Sequence, residues 1–171
     1  MDCEGKGTPE RAGRARLAVL IDGENAKPRH ARAVFKAAEA FGEATVRRIY
    51  GDFSNGRLGS WNAAIREFAI VPCHQPAHVR GKNAADIALT VDAMDLLHRE
   101  RLDGVCLMSS DSDFTRLAQR LREGGLAVYG FGESKTSRSF RAACHRFETV
   151  GTAATGAAGA LRSARLTEGE E

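Results

Sequence analysis

The sequence has no long hydrophobic run. Its longest uncharged apolar stretch is Leu17 to Ile21, and others such as Val105 to Met108 are shorter, far short of the ~20 residues that a membrane-spanning helix requires. Residues Met1 to Arg16 mix charges of both signs and lack an apolar core, so no secretory signal and no membrane partner are expected, and a cytoplasmic location is the default. Cysteine is scarce: Cys3, Cys73, Cys106 and Cys144 form no CxxC pair. That leaves no disulfide framework and no paired zinc ligands, and the four read as reduced, mostly buried thiols. No Ser/His/Asp or Cys/His arrangement suggests a covalent nucleophile. Charge of one sign is in small excess, with 25 Lys+Arg against 22 Asp+Glu for a net +3. That is far from the basicity of a dedicated DNA-binding domain.

What remains is ordinary for a globular protein. The chain has 171 residues, 43% hydrophobic and 27% charged, enough for one domain with a real core. Charge is unevenly spread: residues 14–150 hold 21 Lys+Arg and 16 Asp+Glu, whereas the two tails together are net acidic. Residues 1–15 are Gly- and charge-rich without period and are expected to be a disordered tail. Residues 151–171 form an Ala/Gly-rich acidic tail, with a short helix conceivable at 157–166. Residues 16–150 are read as the domain.

Within it, strand and helix patterns alternate. Buried strands are expected at Leu17–Ile21, Ala44–Gly51, Ala69–Pro72, Asp103–Ser109 and Leu126–Phe131. Helices follow from about Pro28, Leu58, Asn83 and Phe114, and a last one spans Ser137 to Phe147. Such alternation implies an α/β, three-layer Rossmann-like fold with a central parallel sheet of about five strands and helices on both faces. Ligands of such sheets bind beyond the carboxyl ends of the strands, where the strand order reverses.

That edge is where acids collect. Asp22 follows the first strand in Ile21-Asp22-Gly23-Glu24-Asn25. Asp111 and Asp113 follow the fourth in Ser109-Ser110-Asp111-Ser112-Asp113, and Asp86 falls in the first turn of the helix that Asn83 begins. Crowded carboxylates repel unless a cation lies among them, and Mg²⁺ or Mn²⁺ prefers oxygen ligands and readily joins carboxylates to phosphate. Each acid also has a plain alternative, as a helix cap or a turn residue.

The blocks IDGEN, YGDFS, GKNAADIALTVDAMDLLH, SSDSDFTRLAQRLREGG and VYGFGESKT, in that order over roughly residues 16–150, resemble the NYN domain of the bacterial LabA-like branch of the PIN-like nuclease superfamily. The resemblance implies a PIN-like fold with sheet order 3-2-1-4-5 and a metal-dependent ribonuclease using Mg²⁺ or Mn²⁺. It places Asp22, Asp86, Asp111 and Asp113 as catalytic metal ligands and Asn25 in the first motif's polar position. Asp92 falls in a similar block but points about 120° away from Asp86 on a helix, so it ranks lower. Longer relatives carry a downstream RNA-binding LOTUS domain. Specificity of that kind is expected here to be absent or to come from a partner protein or a homo-oligomer. The alternative reading is a non-catalytic RNA-binding or regulatory module.

Other residues on the same edge are candidates for holding RNA. They are Lys82, Asn83, Ser110 and Lys135, with Arg80 and Arg138 below them; for the cations the plain alternative is solvated surface charge. Asp111-Ser112-Asp113-Phe114-Thr115 also matches the DxDxT nucleophile motif of haloacid dehalogenase-type phosphatases. In those proteins the motif follows the first strand, not the fourth.

Overall fold

The computed structural model describes residues 13–54, 56–76, 83–99 and 101–151. The chain runs β1 (Arg16–Asp22), α1 (Ala31–Phe41), β2 (Glu43–Gly51), α2 (Asn62–Glu67), β3 (Val71–His74) and α3 (Ala84–Arg99). It continues with β4 (Gly104–Met108), α4 (Thr115–Glu123), β5 (Ala127–Gly132), α5 (Arg138–Ala143) and β6 (Arg146–Thr149), with short 3-10 turns at Pro28–His30, Gly59–Trp61 and Ser112–Phe114. The strands form one sheet in the order β3-β2-β1-β4-β5-β6, and every neighbouring pair is parallel. The α/β class and the order 3-2-1-4-5 are those expected from the sequence.

A sixth strand was not expected. The last helix, read to Phe147, stops at Ala143, and Cys144 is already extended at φ −83°, ψ 150°. Ser137 caps the short helix by accepting the Phe140 N–H at 3.3 Å. Phe147, the apolar residue that prolonged the helical pattern, instead sets its ring edge-on to Phe140 at 6.0 Å while its backbone pairs with Gly130. The third strand also begins later than expected, at Val71. Ala69 occupies the left-handed region at φ 50° and ends the turn after α2. The expected helix at 157–166 lies outside the described residues, as do Cys3, Arg80 and Lys82.

The alternation of β1 divides the core. Leu17, Val19 and Ile21 pack with α1 and α2 on one face, while Ala18 and Leu20 pack with α3, α4 and α5 on the other. Side chains two apart share a face, so Asp22 points to the α3 side. The order reverses between β1 and β4, because the chain builds outward from β1 to β3 and then crosses back through α3. The crevice of such a sheet opens there, between the carboxyl ends of β1 and β4. No helix among the described residues is long and apolar enough to cross a membrane.

Candidate active site

Asp22 ends β1 and is buried, 1% exposed. The chain turns immediately beyond it. The Gly23 N–H donates to the Tyr50 carbonyl at 2.9 Å, and a Cβ on Gly23 would lie 2.8 Å from that oxygen, so only glycine lets β1 close on β2 here. The Asp22 carboxylate accepts three hydrogen bonds. Its Oδ2 accepts from Ser109 Oγ at 2.7 Å and from Asn25 Nδ2 at 2.9 Å, and Oδ1 accepts the Asn25 N–H at 3.2 Å. Burial raises its pKa above the usual carboxylate value, these hydrogen bonds oppose the rise, and the charge of Asp111 adds to it.

Asp86 stands in the first turn of α3, whose inner face of Ala85, Leu89, Ala93 and Leu96 seats the helix on the sheet. Its carboxyl is pushed up to about 6, first by burial and then by the negative charges of Asp22, Asp111, Glu24 and Asp113. Five carboxylates from three separate segments therefore share one electrostatic neighbourhood. Asp111 also caps the 3-10 turn that follows β4, its Oδ1 accepting the Asp113 N–H at 2.9 Å. The capping role and membership of the cluster are thus both real for this residue. Asp86 and Asp113 together line a groove beside α3.

The structure separates the remaining candidates. Asn25 reaches Asp22 directly. Asn83 lines the Asp86 groove. Ser110 turns the other way, its Oγ accepting the Glu133 N–H at 2.8 Å and tying the end of β4 to the end of β5. Lys135 pairs with Glu133 at 3.5 Å, and Lys27 holds the same carboxylate at 2.5 Å. Arg138 begins α5 and is exposed. Asp92 lies away from the cluster, its Oδ2 accepting from Arg48 and from the Tyr50 hydroxyl, each at 2.9 Å. This fastens α3 to β2.

Two members escaped the sequence reading. Ser109 is buried and bridges Asp22 to the Asp111 N–H, which it accepts at 3.0 Å. Glu24 contributes charge to Asp86 from the turn after β1. No local signal marked Ser109: its place follows from the register of β1 and β4, which pairs Ile21 with Met108 and so sets the next residues, Asp22 and Ser109, side by side.

The charged groups that shift Asp86 are all carboxylates, and oxygen donors of this kind suit a hard, hydrated cation. Among the described residues, no three His, Cys, Asp or Glu side chains close on a point as a ready-made cage. Mg²⁺ does not demand one, because it keeps several waters and uses one or two carboxylates together with substrate phosphate.

Comparison with known proteins agrees with this architecture. A protein of unknown function from Vibrio parahaemolyticus has the same fold, with a TM-score of 0.68 at 20% identity over 83% of this chain and 96% of the other. No curated protein matches significantly. The family model for the NYN domain matches residues 16–151, which takes in all six strands and every acid of the cluster. On that span the chain belongs to the NYN domain family, within the PIN-like nuclease superfamily.

Proposed function

We propose that the protein is a metal-dependent ribonuclease that hydrolyses RNA phosphodiester bonds at the crevice between β1 and β4. The observation that carries this reading is the convergence of Asp22, Asp86, Asp111 and Asp113 at the topological switch point, with Asp86 raised by its acidic neighbours. Mutual repulsion of carboxylates favours a cation among them.

Asp22, Asp86, Asp111 and Asp113 are the residues that would hold Mg²⁺ or Mn²⁺. When bound, the ion supplies charge neutralisation at the scissile phosphate and a more acidic water. The chain's own part is positional. Ser109 and Asn25 fix the Asp22 carboxylate and leave it little rotational freedom. Asp86 enters from α3 with its carboxyl pushed up to about 6. Asp111 presents one oxygen to its cap and keeps the other free of that bond. Hydrolysis on this reading is attack by water on the phosphodiester, with no covalent intermediate on the chain.

The test is cleavage of labelled single-stranded RNA by the full chain with Mg²⁺ or Mn²⁺, with chelator as control. Metal-dependent cleavage that Asp86→Asn abolishes supports the proposal. A wild-type protein that binds RNA and leaves it intact under every metal is instead a non-catalytic RNA-binding module.

A further inference from the structure

We propose that the groove between α3 and the Asp111–Phe114 turn is a nucleobase subsite, which holds the base of the nucleotide flanking the phosphodiester at the carboxylate cluster. The inference rests on the ribonuclease reading and goes beyond it, since it assigns a ligand to residues outside the acids.

The groove has a volume of about 250 Å³, and two of its walls are Asp86 and Asp113. Whatever occupies it therefore lies against the cluster. Its apolar surface comes from Ile87 and Val91, one helical turn apart on α3, with the buried Phe114 ring behind them. Ile87 is 63% and Val91 56% exposed, two of the three large hydrophobic side chains so exposed among the described residues. Neither serves the core, because the inner face of α3 is built by Ala85, Leu89, Ala93 and Leu96. A lone exposed aliphatic residue means little. A pair that continues the wall of a candidate active site is a surface with a place for a ligand.

The chemistry of the lining selects the ligand. The described lining carries two carboxylates, which favour a neutral group over a second phosphate beside the one at the cluster. A nucleobase is neutral, with flat faces that suit aliphatic walls and a polar edge that Asn83 and Thr90 can meet with donors and acceptors. The volume is below the ~300–1,000 Å³ of pockets that enclose drug-sized molecules and suits one base. A second copy of the chain is a poor occupant, because two side chains offer little of the ~800 Å² per partner that a stable interface buries. A base one sugar away from a phosphate at Asp86 reaches the groove without leaving the strand.

The test uses the full chain in Mg²⁺ with an RNA pentamer and an abasic phosphodiester of equal length. The methyl resonances of Ile87 and Val91 should shift with the RNA and not with the abasic strand. The exposed double variant Ile87→Ser/Val91→Ser should melt like wild type and raise KM for cleavage about tenfold, as the loss of two apolar contacts to a base would, with kcat within about twofold. RNA that is cut while these methyls stay still overturns the subsite and leaves the nuclease reading standing. Methyls that respond to RNA and not to the abasic strand, with no cleavage under any metal, uphold the subsite and overturn the nuclease reading. Methyl shifts that track protein concentration without RNA make the face a self-association surface, which overturns the proposal.

Discussion

Ser109 Oγ donates to Asp22 Oδ2 at 2.7 Å, joining residues 87 positions apart. The same oxygen accepts the Asp111 N–H at 3.0 Å. One hydroxyl thus sets the orientation of the β1 acid and the start of the turn that carries the β4 acids. Ser109→Ala should remove a bond that favours the ionised form of Asp22, so the Asp22 pKa should climb further and Mn²⁺ affinity at neutral pH should weaken. Because the site is buried and the acceptor is charged, a stability loss of about 1–3 kcal/mol is expected. Denaturant unfolding and a Mn²⁺ titration measure the two effects. A variant matching wild type in both would mean that Asn25 alone holds the carboxylate.

Asp86 gives a pH signature. Its pKa rises from 3.8 to about 6 on folding, so between those values the native state binds more protons than the unfolded one. Stability of the metal-free protein should therefore fall as pH rises from about 4 to about 6 and then level off. Asp22, raised in the same direction, adds to the trend. Asp86→Asn cannot titrate and should flatten part of this decline, leaving the variant more stable than wild type at pH 7 and not at pH 4. Mg²⁺ favours the ionised site, so the stabilisation it confers should be largest above pH 6 and fade toward pH 4. Melts across pH with and without Mg²⁺ read each of these directly.

Asp92 should behave as a structural residue. It accepts from Arg48 and from Tyr50, and burial together with the Asp92 carboxylate pushes the Tyr50 phenol up, keeping it a hydrogen-bond donor. Asp92→Ala leaves the buried hydroxyl without that acceptor and should cost about 1–2 kcal/mol, the ion pair with half-exposed Arg48 adding little after screening. RNA cleavage by the folded variant should be preserved. Loss of cleavage at unchanged stability would return Asp92 to the site.

The contrast between Asp92 and Ser109 shows what a single sequence can carry. Helical spacing was enough to turn Asp92 away from Asp86, and the blocks of residues after β1 and β4 were enough to put Asp22, Asp111 and Asp113 at the same edge of the sheet. Those signals are local. Ser109 and Ser110 are neighbours of the same type, and only the pairing of β4 with β1 decides that Ser109 faces Asp22 while Ser110 faces β5. Register between strands is a long-range property with no mark in either strand alone. The missed β6 has a similar cause. Arg146–Thr149 is a short, mostly polar edge strand, and Phe140, Ala143 and Phe147 fall at helical spacing by coincidence of where each meets the core.

Asp111 separates folding from catalysis, because it is both a cap and a candidate ligand. Its Oδ1 accepts the Asp113 N–H, and an asparagine oxygen can accept the same bond, so Asp111→Asn should keep the 3-10 turn and the entry to α4. Were capping its whole role, even complete loss of the cap would cost about 0.5–2 kcal/mol and cleavage would persist in the folded fraction. As a metal ligand it is needed for its charge, and the amide should abolish cleavage in a protein that still melts cooperatively. Removing one negative charge also relieves Asp22 and Asp86, both of which Asp111 raises. The metal-free variant should therefore equal or exceed wild type in stability at pH 7. Mn²⁺ should raise the wild-type melting temperature by mass action and the variant's by less. Thermal melts with and without Mn²⁺, run beside RNA cleavage on both proteins, decide the matter. A folded Asp111→Asn protein cutting RNA at the wild-type rate would remove this residue from the metal site.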